Sequence, residues 1–260
     1  MKKLVILFVA VLALSASYAQ AQEDKMLFNH MSAGISLGLD GVGVELAFPA
    51  SHLLQVRGGY SICPIPYKKD VTLGTLQVNG KNQNLSNIPV SARFWKGGLG
   101  NLMVDIYLNE TGSFHFVAGA FAGSGKLVNG RVDLRQKISP DDYRTGITYN
   151  DVSCSTDAEG YAYVDATVLK VLPYLGVGFG RALDMNKQVS FNFELGAAYS
   201  GGIKTVTYDY SNPSRVTSNV VTSSDLVNSA GKQVDNGLMD KLARFPILPM
   251  LKFQVFMRLF

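Results

Sequence analysis

Beyond residue 21 the chain has no apolar run approaching 18 residues. A membrane-crossing helix needs roughly 20, so none is expected in the mature chain. Membrane-crossing strands stay open, because each needs only about 9–11 residues and only alternate ones are apolar. Cysteine is scarce. Cys63 and Cys154 are the only two, and in an oxidising compartment either one disulfide or two free thiols would suit them. The three histidines, His30, His52 and His115, are scattered. With two isolated cysteines they form no ligand cluster, so no metal or other cofactor is expected. Excess charge is scarce too. Of 24 basic residues, Lys2 and Lys3 leave with the leader described next, and 22 remain against 20 acidic ones. That near balance gives no support for a nucleic-acid partner.

The N-terminus reads as a secretory signal. Lys2 and Lys3 precede an almost purely apolar stretch over 4–14, and small or polar residues follow up to Ala19-Gln20-Ala21. That tripeptide fits the small-x-small pattern of a cleavage site. The expected division is a signal peptide over 1–21, a short periplasmic lead over 22–30, and one domain over 31–260. No cysteine lies near the cut, so no lipid anchor is expected there.

The mature chain alternates between apolar and small or polar residues, the pattern of half-buried strands. Eight segments carry it: 31–39, 42–48, 53–60, 101–108, 113–123, 171–181, 188–200 and 250–260. Segment 188–200 is the cleanest. Val189, Phe191, Phe193, Leu195, Ala197 and Tyr199 oppose Gln188, Ser190, Asn192, Glu194, Gly196 and Ser200. Asp40-Gly41 is a hairpin signal. The stretches 49–52, 109–112 and 182–187 read as short turns. Long polar stretches cover 61–100, 125–170 and 201–249. Within them, short strands are expected around 71–78, an extension of the following strand beyond the bilayer over 161–169, and a helical turn or two over 237–244.

An even count of eight, with short turns at one end and long connections at the other, predicts an all-β fold: an eight-stranded antiparallel up-and-down transmembrane barrel with three long extracellular loops. A soluble β-sandwich would also alternate. Against it stand apolar faces that carry few charges from segment to segment, and a last strand that runs to Phe260.

With these features, and with Met250-Leu-Lys-Phe-Gln-Val-Phe-Met-Arg-Leu-Phe260, the chain resembles small OmpA-like outer-membrane β-barrel proteins. The blocks around Asn101–Tyr107, Phe114–Gly119 and Pro173–Gly180 resemble barrels of Bacteroides-type Gram-negative bacteria. The resemblance implies an outer-membrane location with lipid as neighbour. It also implies the barrel-assembly machinery as a partner during biogenesis, reading the terminal aromatic Phe260 as its signal. One departure is that strict alternation puts Phe260 on the polar face with Lys252 and Arg258, where Leu259 is the apolar substitute.

The polar faces carry Glu45, Asp105 and Glu194 against Arg57, Lys252 and Arg258, with His115 beside them. An eight-stranded barrel is just wide enough for side chains, and buried charges need partners. Equal numbers of each sign therefore predict a lumen plugged by ion pairs. Counting back from the 109–112 turn sets Asp105 opposite His115. As a catalytic pair these two would need a nucleophile, and no recognisable serine motif accompanies them, so structural pairing is the expectation and the chain is read as no enzyme. Gly176, Gly178 and Gly180 alternate on one face with no helix start after them, which is packing and not a dinucleotide fingerprint. Trp95, Tyr60 and Tyr199 suit an aromatic girdle. The functional expectation is a structural or surface-binding barrel that meets an unidentified extracellular ligand through its loops. A small porin or lipophile transporter, and a lipid-modifying enzyme, are the alternatives.

Overall fold

Alternation of large apolar and small or polar residues gives each strand one face for lipid or core and one for its opposite, and the strands then choose partners that keep those faces continuous. The computed structural model describes residues 30–72, 74–78, 81–144, 146–149, 152–212, 216–221 and 246–260. The expected signal peptide over 1–21, most of the expected lead over 22–30 and the helical turns expected over 237–244 lie outside the described residues.

Eight strands close into an antiparallel barrel. They are β1 (Ser32–Gly38), β2 (Gly41–Pro49), β3 (Leu54–Ile62), β8 (Leu99–Tyr107), β9 (Phe114–Gly123), β14 (Val171–Gly180), β15 (Val189–Tyr199) and β18 (Ile247–Arg258). Each pairs with its sequence neighbour among the eight, and β1 pairs with β18 to close the ring. Outward positions carry Ile35, Val44, Leu102, Leu175, Phe191 and Phe253, all exposed on the wall. Inward positions carry Glu45, Arg57, Asp105, His115, Asn192 and Gln254, all buried. At mid-barrel the packing is thus inverted relative to a soluble domain: apolar outside, polar inside.

The long connections are not irregular loops. All leave from one end of the barrel and fold into further strands: β4 (Tyr67–Val71), β5 (Gly74–Val78), β6 (Lys81–Leu85), β7 (Ile88–Phe94), β10 (Lys126–Asp133), β11 (Gly146–Tyr149), β12 (Val152–Ser155), β13 (Tyr161–Thr167), β16 (Lys204–Asp209) and β17 (Thr217–Val221). One sheet has the order β17-β16-β13-β10-β7-β4, the other β12-β11-β5-β6. The short strands expected around 71–78 are β4 and β5, and the extension expected over 161–169 is β13, which leads into β14. At the other end the connections are short.

The larger sheet is the barrel wall continued. Its inner order β7-β10-β13-β16 follows the wall order β8-β9-β14-β15, and in each case the sheet strand leads directly into, or out of, its wall strand. Backbone bonds stitch the junctions: Trp95 N–H to the Leu127 carbonyl at 2.9 Å, Val168 N–H to Gly125 at 2.8 Å, and Leu169 N–H to Ser200 at 3.1 Å. The face continuous with the lumen is covered. Leu127 and Val168 pack on the apolar cluster at the lumen's upper end, and Ile88 and Ala162 are buried with Leu134 and Ile138.

Candidate functional site: the lumen and the outer sheet

Arg57 sits at the centre of the lumen with about 1 % of its side chain exposed. Its planar guanidinium has five donors, and four contacts engage three carboxylates. Nε donates to Asp105 Oδ2 at 2.7 Å and Nη2 to Asp105 Oδ1 at 2.8 Å. Nη2 also reaches Glu194 Oε2 at 2.6 Å, and Nη1 reaches Glu45 Oε2 at 3.1 Å. Lys252 Nζ lies 3.0 Å from Glu45 Oε1 and 2.9 Å from Asp40 Oδ2. Gln254 Nε2 donates to Glu45 Oε2 at 2.8 Å, and Gln254 Oε1 accepts from Asn192 Nδ2 at 2.7 Å. Such a network rigidifies a core when its members are satisfied, and it is costly to interrupt.

Three expectations about these charges change. Asp105 does not face His115. The β8–β9 register sets Asp105 against Val117 and Tyr107 against His115. The β8–β9 hairpin is centred on Thr111, one residue later than the expected pairing requires, and the resulting two-residue slip keeps every side chain on its face while moving each cross-strand partner along by one pair. His115 instead lies 4.6 Å, ring to ring, from Tyr107, with Nδ1 3.1 Å from the Ser113 carbonyl. Arg258 is not part of the lumen cluster. It is half-buried at the short-turn end, where its guanidinium donates to the Met185 carbonyl. Asp40 takes its place, because the β1–β2 turn folds that carboxylate inward over Lys252. The buried set is therefore acidic, four carboxylates to two cations.

Both ends of the lumen are filled as well. Toward the outer sheet, Trp95, Leu99, Met103, Val117, Phe121, Leu172, Tyr174 and Met250 form an apolar plug. Trp95, expected in a girdle, is buried there, and its indole N–H donates to the Leu39 carbonyl at 3.2 Å. Tyr60 and Tyr199 are exposed on the wall near the strand ends that lead into the long connections. At the other end the 181–188 connection enters the mouth. Gln55 Nε2 donates to the Leu183 carbonyl at 2.6 Å, and Leu183 N–H donates back to Gln55 Oε1 at 3.1 Å. Ser32 Oγ donates to the Ala182 carbonyl at 2.7 Å. Within this cap Ala182 and Leu183 are buried, Ala182 in one cluster with Phe256. A turn of small and mixed residues carries no sequence signal that it folds into a barrel.

Glycines make room for the large inward groups. A Cβ on Gly178 would lie 2.2 Å from His115 Nε2. Cβ atoms on Gly176 and Gly196 would lie 2.5 Å and 2.3 Å from the Tyr174 hydroxyl.

The cysteines are free, Cys63 just past β3 and Cys154 on β12 in the smaller sheet. A disulfide needs a close approach of the two Cα atoms, and here Cys63 follows a barrel strand while Cys154 sits in a separate sheet. Burial pushes the Cys154 thiol up to about 11, which keeps it protonated. Phe260 lies beyond β18 and is exposed, its carbonyl accepting from Met31 N–H at 3.3 Å.

On the outer sheet, Asp165 is fully buried and gathers Lys126 Nζ at 2.6 Å, the Tyr208 hydroxyl at 2.6 Å and Asn129 Nδ2 at 2.5 Å. Burial pushes its carboxyl upward, but these donors outweigh it and hold it below the ordinary carboxylate range. Lys126 is raised in turn, first by its bond to Asp165.

No protein-family model and no curated protein matches the chain. Three solved structures are similar in backbone. CarO of Acinetobacter baumannii has 18 % identity and a TM-score of 0.46, over 87 % of this chain and 96 % of that one. CarO2 of the same organism has 18 % identity and a TM-score of 0.48, over 89 % and 99 %. A major outer membrane protein from Thermus thermophilus has 13 % identity and a TM-score of 0.35, over 88 % and 98 %. The barrel assignment for this chain rests on its own strand pairing.

Proposed function

We propose that this chain is an integral outer-membrane protein whose barrel is a closed anchor, and whose outer sheet is a binding platform at the cell surface. The observation that carries the closed lumen is Arg57 bound by Asp105, Glu194 and Glu45 across the barrel's full width. A conducting path would need water where these side chains are in contact. Membrane residence is supported by the wall itself. Leu175 is 70 % exposed and Ile35 64 %, and their neighbours continue this apolar surface around the barrel, which water would not tolerate. The signal sequence and the OmpA-like, Bacteroides-type pattern support export through the periplasm, with Phe260 as the signal for barrel assembly. The short-turn end then faces the periplasm and the sheets face outward.

The reading as a non-enzyme is supported by how the candidate pair is used. Asp105 is engaged by Arg57 through both oxygens, and His115 is completely buried. Planar-bilayer recording tests the closed lumen. The purified protein should insert without steady ion current; sustained conductance would reject the plugged barrel in favour of a small porin.

A further inference from the structure

The uncovered face of the larger sheet continues the lipid-facing wall above the apolar belt. We propose that this face binds the anionic sugar headgroup of an outer-leaflet glycolipid, which deepens, and rests on, the membrane-anchored reading above.

Strand register sets the chemistry in rows. At the junction with the barrel, Lys126 and Lys204 both flank Thr167. Two residues further out, Arg93 pairs with Asn129 and Asn129 with Asp165. Two more residues out, Lys68, Ser91, Arg131 and Tyr163 lie directly across four neighbouring strands. These positions share the uncovered face, and Lys68, Arg93, Arg131 and Lys204 are exposed. Among the described residues none of those four has an ion-pair partner within 4 Å, whereas Lys126 is bound to Asp165. Arg131 lies over the Tyr161 ring at 4.5 Å.

The height of this array selects the occupant. From Thr167 to Tyr163 is four residues, about 14 Å along a strand, and still about 10 Å in height at a barrel-like tilt of about 40°. The headgroup layer of a phospholipid leaflet is only about 5–8 Å thick. Basic residues at the junction would meet any anionic headgroup, but Lys68 and Arg131 lie above that layer and need one several sugars tall. Tyrosine rings and carboxylates among the cations suit sugars, which offer hydroxyl donors and C–H faces together with scattered negative charge. The carboxylates of Asp70 and Asp133 share this face. They would repel a strongly acidic peptide or a nucleic acid, whose charges are dense.

The test uses the full mature protein in nanodiscs or micelles, titrated with lipopolysaccharide. Wild type should bind it, and Lys204→Gln/Arg93→Gln/Arg131→Gln should weaken binding at least tenfold, with rising salt weakening the wild type likewise. Heat-modifiability on a gel must stay intact in the variant, and the milder pair Lys68→Gln/Arg131→Gln should give a smaller loss if the triple variant fails to fold. Equal binding by wild type and both variants overturns the proposal. So does preference for soluble oligogalacturonate or polyglutamate over lipopolysaccharide. If the wild-type protein fractionates as soluble, the membrane-anchored reading fails; a heat-modifiable membrane protein that ignores lipopolysaccharide rejects this inference alone.

Discussion

Arg57 donates to both carboxylate oxygens of Asp105, from Nε at 2.7 Å and Nη2 at 2.8 Å, and so ties β3 to β8 across the inside of the wall. The two-pronged geometry is the strong form of a charged hydrogen bond. It also turns Arg57 into the hub on which Glu45 and Glu194 depend.

Arg57→Met removes the positive hub and leaves three buried carboxylates together. Breaking a buried pair from one side costs about 3–5 kcal/mol. The variant should unfold at clearly lower urea concentration in micelles, or fail to reach the heat-modifiable form. Asp105→Asn in the same protein should cost less. Equal stability of Arg57→Met and wild type would mean that the cluster contributes nothing.

Leu175→Arg separates a lipid-facing wall from a water-facing one. Leu175 is outward and 70 % exposed. In water the change would be nearly neutral, as most surface substitutions are. In a bilayer it should cost about 2–4 kcal/mol near the midplane. Unfolding measured in lipid vesicles should show that loss.

Gly178→Ala pushes a methyl group into the His115 ring, since the new Cβ would stand 2.2 Å from Nε2. Overpacking of this kind costs about 1–3 kcal/mol. His115→Ala should recover part of it, because the two side chains compete for one space. A double-mutant cycle with zero coupling would contradict the contact.

The outer sheet should have a pH window set by Asp165 and Lys126. Asp165 is held below its usual range, so its contribution is complete above the unfolded carboxylate pKa of about 4. It is lost as pH falls through the depressed folded value. Lys126 is raised, so its contribution is complete below about 10.4 and is lost as pH rises through the raised folded value. Limited proteolysis of β10, β13 and β16 should therefore be slow and flat between these limits and accelerate in acid. Asp165→Asn should remove the acid limb and lower protection throughout.

Two thiols should be found by mass spectrometry after alkylation of the unfolded, unreduced protein. In the folded protein Cys154 should react slowly at pH 8, because its thiol is pushed up to about 11. A reductant-sensitive gel shift would instead indicate a Cys63–Cys154 bond.

The strands are legible because period-two alternation is local. Phe191, Phe193 and Leu195 declare their outward face without reference to any other strand, and the same parity places Glu45, Arg57, Asp105, His115, Glu194 and Lys252 on inward faces. Partners are not legible. Parity survives a two-residue slip, so counting from a short turn pairs Asp105 with His115, whereas a hairpin centred one residue later sets it against Val117, and its ionic partner comes from β3. Asp40, Leu183 and Trp95 enter the lumen from connections, where no periodicity marks a direction. Even the outer sheet is a tertiary outcome. Its strands are short and polar, and they are ordered by continuing hydrogen bonds that the wall strands already make. The sequence by itself determined which segments cross and which side chains they turn inward, because those follow from backbone pleat alone. Only the folded chain decided how the lumen is closed and what stands above it, because both depend on which distant strands become neighbours.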